Sequence, residues 1–431
     1  MNRSILYEVQ HLTFAGTGIT TYAKGLVRAA RNIGYDVDGL WGVDKALDRH
    51  DDALNELLAF DAPPQKALGD LWGDGLRALG FARPHQLRRG GLVTGPATAP
   101  FEVFRNIFVA TRLLEGSRAH FGIFNRLVSL QLAAPPSIFH ATFPVPLRVK
   151  GASNVYTIHD LVPLRLPYAT LDNKKFTYRL LKKLAETADH IITVSEHSRR
   201  DIIDVLKVDE HRVTNTYQAV TFPEDLLNRK DDQVADDIRR NFELEADRYF
   251  LFYGAIEPKK NIVRLIDGYL ASGAKHPLII AGAAGWQNSE ELARLEDEQF
   301  STYELTDGVI KRRPRLRRVG YLSQDLLASL IRGARAVLLP SIYEGFGLPV
   351  AEAMMLGTPV ITSNVSSLPE VAGDAAMLVN PHETAEIANA IRAIDQDEGL
   401  RRGLIARGRV QAAKFSQTAY EQRLAQAYKA V

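Results

Sequence analysis

Cysteine is absent from this chain. That excludes disulfide staples, thiolate nucleophiles and metal sites built on thiolates. Neither sign of charge dominates: 53 lysines and arginines stand against 51 aspartates and glutamates, a formal net charge of +2. So small a value gives no argument for nucleic acid as a partner. No stretch of about 18 apolar residues occurs, so the sequence offers no simple membrane-spanning helix. The opening segment, Met1-Asn2-Arg3-Ser4-Ile5-Leu6-Tyr7-Glu8, lacks the long apolar centre of a secretory signal. A cytoplasmic protein is the expectation from these absences. Repeats of solenoid type and low-complexity tails are missing as well.

What is present is a chain of 431 residues, long enough for two or three domains, with 46% hydrophobic and 24% charged residues. Short apolar runs alternate with helical patterns. In the first half, residues 5–9 read as a strand, Gly16-Thr17-Gly18 as a loop, and 19–33 as a helix. Tyr22, Ala23, Leu26, Ala30 and Ile33 share one face of that helix. Gly34 stands where a C-cap belongs, and 35–41 reads as the next strand. Residues 137–140, 154–158 and 190–194 follow as strands, with Ser195 as a helix N-cap. A polar, charge-dense stretch, 228–247, precedes a second half with strands at 249–253, 278–281, 319–321, 336–339 and 359–362. Asn261 occupies the place of a helix N-cap there. Such alternation implies parallel sheets covered on both faces, and sheets of this kind bind ligands beyond the C-terminal ends of their strands.

The most informative segment is Pro340-Ser341-Ile342-Tyr343-Glu344-Gly345-Phe346-Gly347-Leu348-Pro349-Val350-Ala351-Glu352. It follows the apolar run 336–339, and Pro349 suits the first turn of a new helix. Strand, glycine-rich loop and helix N-terminus present backbone N–H groups and a positive dipole end to an anion. The carboxylates of Glu344 and Glu352 accept only from donors, so the matching ligand carries hydroxyls as well as phosphate. A sugar nucleotide has both. A second segment, Gly254-Ala255-Ile256-Glu257-Pro258-Lys259-Lys260-Asn261, places two lysines after another strand. Either segment alone also fits a solvated surface turn; together they point to one site.

The spacing Glu344-x7-Glu352 resembles the E-x7-E motif of the retaining GT-B glycosyltransferases, specifically glycosyltransferase family 4. Residues 254–261 resemble that family's G-x-x-x-P-x-K-N loop. The resemblance implies an α/β, GT-B architecture: two Rossmann-like, doubly wound parallel-sheet domains facing a central cleft. Residues 1–227 would form the acceptor-side domain and 228–415 the nucleotide-sugar donor domain. Residues 416–431 would cross back to the first domain as a helix. The implied activity is retaining transfer of a sugar from a nucleotide-sugar donor, with no metal or other cofactor. No Asp-x-Asp metal motif appears at a strand end, in keeping with that expectation.

By the same resemblance, Lys260 grips the donor diphosphate. Glu344 lies nearest the transferred sugar, beside Gly345 and the backbone N–H groups of Phe346, Gly347 and Leu348. Glu352 accepts both ribose hydroxyls, as one charged carboxylate can. Many members carry an arginine directly after the glycine where Ala255 stands here, so either Lys259 is the second cation or the diphosphate has one cation fewer. His159, in Thr157-Ile158-His159-Asp160, matches a His-Asp position that faces the donor sugar across the cleft. Gly16 and Gly18 resemble a loop bordering diphosphate and acceptor, although no third glycine completes a dinucleotide fingerprint. Ser195-Glu196-His197-Ser198 resembles the family's V-S-E-x-S segment. His140 is a weaker candidate on the acceptor side.

Residues 362–371, Thr-Ser-Asn-Val-Ser-Ser-Leu-Pro-Glu-Val, resemble a segment frequent in members that use GDP-mannose. That favours a bacterial mannosyltransferase of cell-surface polysaccharide or lipopolysaccharide synthesis, acting on a saccharide or lipid-linked saccharide acceptor. Another GDP- or UDP-sugar donor stays open, as does a non-catalytic nucleotide-sugar-binding subunit of a biosynthetic complex. An oxidoreductase or epimerase would need a full glycine fingerprint, with Asp36 or Asp38 on the ribose, and would leave Lys260 and the two glutamates unused. Residues 72–132 mix Leu76, Leu79, Phe81, Phe101, Phe104, Ile107 and Phe108 with Arg77, Arg83, Arg88, Arg89 and Arg105. They suit either a peripheral contact with the inner face of an anionic membrane or helices packed on the first domain. The basic run 311–318 reads as an exposed loop before a strand.

Overall fold

The computed structural model describes residues 3–13, 18–45, 51–61, 81–95, 98–283, 301–306 and 309–431. Two twisted sheets organise them. The first has the strand order Val213–Asn215, His190–Thr193, Ser153–Thr157, Ile138–Ala141, Ser4–Glu8, Asp36–Val43, Ile107–Thr111 and His85–Leu87. All its pairings are parallel except the last, where His85–Leu87 runs antiparallel to Ile107–Thr111. The second has the order Leu316–Val319, Leu278–Ala281, Phe250–Tyr253, Ala336–Leu339, Val360–Ser363 and Met377–Val379, parallel throughout. Four-residue runs such as Phe-Leu-Phe-Tyr, Leu-Ile-Ile-Ala and Ala-Val-Leu-Leu are buried at every position. Only strands covered by helices on both faces can be apolar without alternation.

The helices obey equally local rules. Helix Gly18–Asn32 buries Tyr22, Ala23, Leu26, Val27 and Ala30 along one side. It ends at Gly34, whose φ of +90° is open to glycine at no steric penalty. The Ser195 hydroxyl accepts from the Ser198 N–H and starts helix Glu196–Leu206. The charge-dense stretch after residue 228 is itself helical over Asp231–Phe242 and buries Val234, Ile238 and Phe242. Its acidic first turn and basic last turn complement the helix dipole.

Two expectations are corrected. The basic run 311–318 is not a loop: Val309–Pro314 pairs antiparallel with Ser301–Thr306, and Leu316–Val319 joins the second sheet. Alternation along a strand lets cations and aliphatic residues share one segment. Asn261 does precede helix Ile262–Ser272, but it makes no side-chain cap. Its amide donates instead to the carbonyls of Pro340, at 3.0 Å, and Pro381, at 2.7 Å. Of the two alternatives for residues 72–132, packing on the first domain holds for Phe101, Phe104 and Ile107, which are core residues. Arg105 is paired with Asp36 and Asp38. Residues 72–80 lie outside the described residues.

The last helix, Gln417–Lys429, capped by Ser416, lies against helix Gly18–Asn32 of the first sheet unit. Tyr420, Leu424, Ala427 and Tyr428 are its buried face. The Tyr428 hydroxyl reaches the core of the first sheet, 2.7 Å from the Tyr7 hydroxyl and 2.6 Å from Nδ1 of His140.

Candidate active site

The second sheet opens its site at two adjacent strand ends. After Phe250–Tyr253 comes Gly254, φ +133°, pressed against Gly282, φ +153°. A Cβ on Gly282 would lie 2.0 Å from the Gly254 carbonyl oxygen. Gly282 leaves no room for a side chain at this approach, and Gly254 is required by its positive φ. A short 3-10 turn, Pro258–Lys260, follows, and the Asn261 amide bolts it to the start of the second loop at Pro340. The Ile342 N–H donates to the Lys259 carbonyl at 2.8 Å and completes that join.

In the second loop, Gly347 takes φ +97° and starts helix Leu348–Met355 with Pro349 in the first turn. A Cβ at Gly347 would clash at 2.6 Å with Leu368. The loop is held from beneath by serines of residues 362–371. Ser367 Oγ donates to the carbonyls of Glu344 and Phe346, both at 2.9 Å. Ser366 Oγ accepts from the Glu344 N–H at 3.1 Å, and Ser363 Oγ donates to the Ser341 carbonyl at 2.7 Å. These serines therefore buttress the loop that carries Glu344.

The joined loops bring Lys260 and Glu344 together, 84 residues apart in sequence, with Nζ 2.6 Å from Oε1. Both are nearly closed to solvent, at 9% and 7% exposure. Burial pushes the Glu344 carboxyl up, but the ammonium groups of Lys260 and Lys259 outweigh it and hold the group below its ordinary value. Lys259 is half-buried beside Glu257, at 3.9 Å. Burial works against its charge, and the fields of Glu344, Asp160 and Glu257 more than compensate, raising its pKa. The site thus concentrates cationic charge on carboxylates that an incoming anion can displace.

Glu352 sits in the helix of the second loop, next to Tyr253. The Tyr253 hydroxyl lies 2.9 Å from Oε2 of Glu352 and 2.9 Å from the Pro349 carbonyl. Burial pushes the Glu352 carboxyl up to about 7, with the tyrosine hydrogen bond pulling the other way. Sequence reasoning missed Tyr253; its signal was its position as the last residue of a buried strand, directly before Gly254.

Across the cleft, His159 follows strand Ser153–Thr157. Its Nε2 is 2.9 Å from the Thr142 carbonyl. A carbonyl only accepts, so Nε2 carries the proton and Nδ1 is left as the acceptor. Burial lowers the ring's pKa, and the Tyr22 ring stands edge-on at 4.7 Å. The chain here touches the second loop directly: a Cβ on Gly345 would lie 2.9 Å from Oδ2 of Asp160 and 3.0 Å from the His159 carbonyl. Gly345 is therefore where the two halves meet at van der Waals range.

His140 is placed differently from its expected acceptor-side position. It is fully buried, with Nδ1 at Tyr428 and Nε2 2.8 Å from the Thr157 hydroxyl. Tyr22 bonds to the same threonine at 2.8 Å. Burial lowers the His140 pKa to about 3, so it is a neutral link in a core network. Gly16 lies outside the described residues, whereas Gly18 begins helix Gly18–Asn32.

A second contact between the halves was not read from sequence. The Glu370 carboxylate accepts from the N–H groups of Glu196, at 2.7 Å, and His197, at 3.1 Å. It thereby caps a helix of the other half. Tyr343 donates to Asp201 at 2.5 Å, and Arg165 pairs with the same aspartate. Ser198 Oγ donates to the Gly345 carbonyl at 3.3 Å.

Both halves of the chain are similar to known proteins. Residues 16–220 match the family model described as Glycosyltransferase Family 4, and residues 234–411 match that described as Glycosyl transferases group 1. O-antigen chain mannosyltransferase B of Escherichia coli is 33% identical over 285 residues, which is 65% of this chain and 70% of that protein. The serotype-specific mannosyltransferase WbdA of Escherichia coli is 31% identical over 281 residues, 64% of this chain but 33% of that longer protein. Among solved structures, Anabaena HepE in complex with UDP and glucose superposes with a TM-score of 0.63 at 16% identity, over 100% of both chains; at that identity the likeness shows the fold. The chain belongs to glycosyltransferase family 4 and has the GT-B fold.

Proposed function

We propose that this glycosyltransferase moves mannose from GDP-mannose to a growing glycan or lipid-linked saccharide of a bacterial surface polysaccharide or lipopolysaccharide. Transfer proceeds with retention of configuration and without a divalent metal ion. The observation that carries the reading is the Lys260–Glu344 pair, buried where the two loops join. In this reading the donor diphosphate binds Lys260 and Lys259 and the N–H groups of Phe346, Gly347 and Leu348. Positive charge fixed there stabilises the diphosphate as it leaves. Glu352, ionised, takes the ribose hydroxyls, and His159 offers a neutral ring nitrogen to a hydroxyl of the donor sugar. The bond from the anomeric carbon to the phosphate oxygen breaks as the acceptor oxygen bonds on the same face. The acceptor's proton passes to the departing phosphate oxygen.

Mannose as the transferred sugar rests on the O-antigen mannosyltransferases similar to this chain. No helix among the described residues is long and apolar enough to cross a membrane. For a lipid-linked acceptor we propose a peripheral contact with the inner face of the cytoplasmic membrane. Exposed Ile123, Phe124 and Tyr178, beside Arg126 and Lys182, support it. The test is transfer and thermal stabilisation with GDP-, UDP-, ADP- and CDP-sugars in the presence of a chelator. A shift and turnover selective for GDP-mannose are expected. Selectivity for a UDP-sugar would overturn the donor, and activity restored only by a divalent ion would overturn the metal-free reading.

A further inference from the structure

Side chains of helix Glu196–Leu206, in the first half, reach the residues on either side of Glu344, in the second. Tyr343, before it, donates to Oδ2 of Asp201 at 2.5 Å. Gly345, after it, accepts at its carbonyl from Ser198 Oγ at 3.3 Å. Ser198 and Asp201 stand three residues apart and so share one face of the helix. Tyr343, Asp201 and Ser198 are all buried.

The backbone of Glu344 itself is held by its own half, through Ser366 at the N–H and Ser367 at the carbonyl. Its two neighbours are held by the other half. Arg165 pairs with the second oxygen of Asp201, so the carboxylate that receives Tyr343 is fixed and the bond is charge-assisted. The His197 ring stands edge-on to Tyr343 at 5.4 Å and limits the phenol's tilt. A turn pinned one residue before and one residue after Glu344 leaves that side chain little freedom to swing off Lys260, 2.6 Å away. Contacts that merely joined the halves could fall anywhere along their interface. Glu370 makes one of that other kind, from helix Leu368–Ala372 to the N–H groups of Glu196 and His197.

We propose that Asp201 and Ser198 of the first half are positioning residues for Glu344, acting through Tyr343 and Gly345. The donor site carried by the second half then reaches its working geometry only with helix Glu196–Leu206 against it. The inference rests on the glycosyl-transfer reading above, in which Glu344 lies nearest the transferred sugar. Tyr343→Phe removes the first bond while Asp201 keeps Arg165 and the ring keeps His197. Ser198→Ala removes the second. Both are made in the full chain and again in a Glu344→Gln background, and Glu370→Ala serves as the comparison that breaks a contact of the same helix elsewhere. Turnover is read as GDP released from GDP-mannose, with an octyl α-dimannoside as acceptor probe and with water alone. Calorimetry gives GDP affinity, and the melting temperature reports the fold.

Tyr343→Phe is expected to lower kcat about tenfold or more and Ser198→Ala roughly three- to fivefold. GDP affinity should stay within about threefold of the parent, and the melting temperature within about 5 °C. In the Glu344→Gln background the same substitutions should change kcat by less than about twofold, since a residue acting through Glu344 has nothing further to disturb. Parental kcat in the variants that fold would overturn the proposal. Equal losses in the two backgrounds would overturn it as well, because a purely structural contact gives that result. So would a loss in Glu370→Ala as large as in Tyr343→Phe. A parent that binds no GDP, or that binds GDP-mannose and releases no GDP, would instead sink the function reading, and the parent reports this before any variant is compared.

Discussion

Beside the second-half loops Glu344 is buried yet held ionised by Lys260 and Lys259; in the first half Glu8, His11, His140 and Tyr22 are driven to neutral forms. Burial pushes Glu8 up to about 8, lowers His11 to about 4 and His140 to about 3, and raises Tyr22 to about 12. Loss of water is the strongest single influence on Glu344 and Glu8 alike. What differs is the partner: Glu344 has lysines beside it, whereas Glu8 has the Gln10 N–H and the Thr142 hydroxyl. In the proposed function the charged region holds the donor diphosphate, while Glu8, Tyr22 and His140 are buried in the core of the first half.

The sharpest way to break this contrast is Lys260→Ala. Loss of the cation should lower kcat/KM by roughly 10²–10³ or more. It should also destabilise the fold by about 3–5 kcal/mol, because Glu344 is left buried without its nearest partner. Adding Glu344→Gln to that variant should recover stability but not turnover. Urea unfolding and steady-state kinetics on the single and double variants check both halves of the statement.

Among the neutral groups of the first half, Glu8 gives the next largest effect. Its folded-state pKa of about 8 lies above the ordinary 4.5, so its protonated form is favoured by folding. That contribution is fully present below pH 4.5 and is lost as pH rises through 8. Within the window it falls by about 1.4 kcal/mol per unit. Glu8→Gln should flatten the decline in stability between pH 5 and pH 8; an unchanged slope would show that Glu8 is not held neutral.

Glu352 lies between the two regimes, at about 7. If its ionised form binds the ribose hydroxyls, donor affinity should rise severalfold from pH 6 to pH 8, and Glu352→Gln should abolish that rise. The smallest effect expected is at the Glu370 contact between halves. Glu370→Ala removes the acceptor of the Glu196 and His197 N–H groups, leaving the Ser195 cap in place, and should cost about 1 kcal/mol in stability, with a change in kcat of a few fold at most.

The second half was the more legible in sequence because its site is local. Short apolar runs bounded by glycines mark its strands; Glu344 and the lysines stand on the turns right after two of them, and Glu352 on the helix that follows Glu344. In the first half, His140 and His159 looked alike as histidines near strands, but only their position relative to the strand end separates them. His140 lies inside strand Ile138–Ala141 and points into the core, whereas His159 comes two residues after Thr157. The serines of residues 362–371 suggested a donor by resemblance, and the structure shows them supporting a loop. The Glu370 cap joins residues 174 apart, a distance over which no local pattern carries information.

The most direct test of the charged region is calorimetric titration of the parent protein and Lys260→Ala with GDP and with GMP. The account predicts that the parent binds GDP at least tenfold more tightly than GMP, and that the preference shrinks to threefold or less in the variant. An undiminished preference for the diphosphate in Lys260→Ala would contradict it.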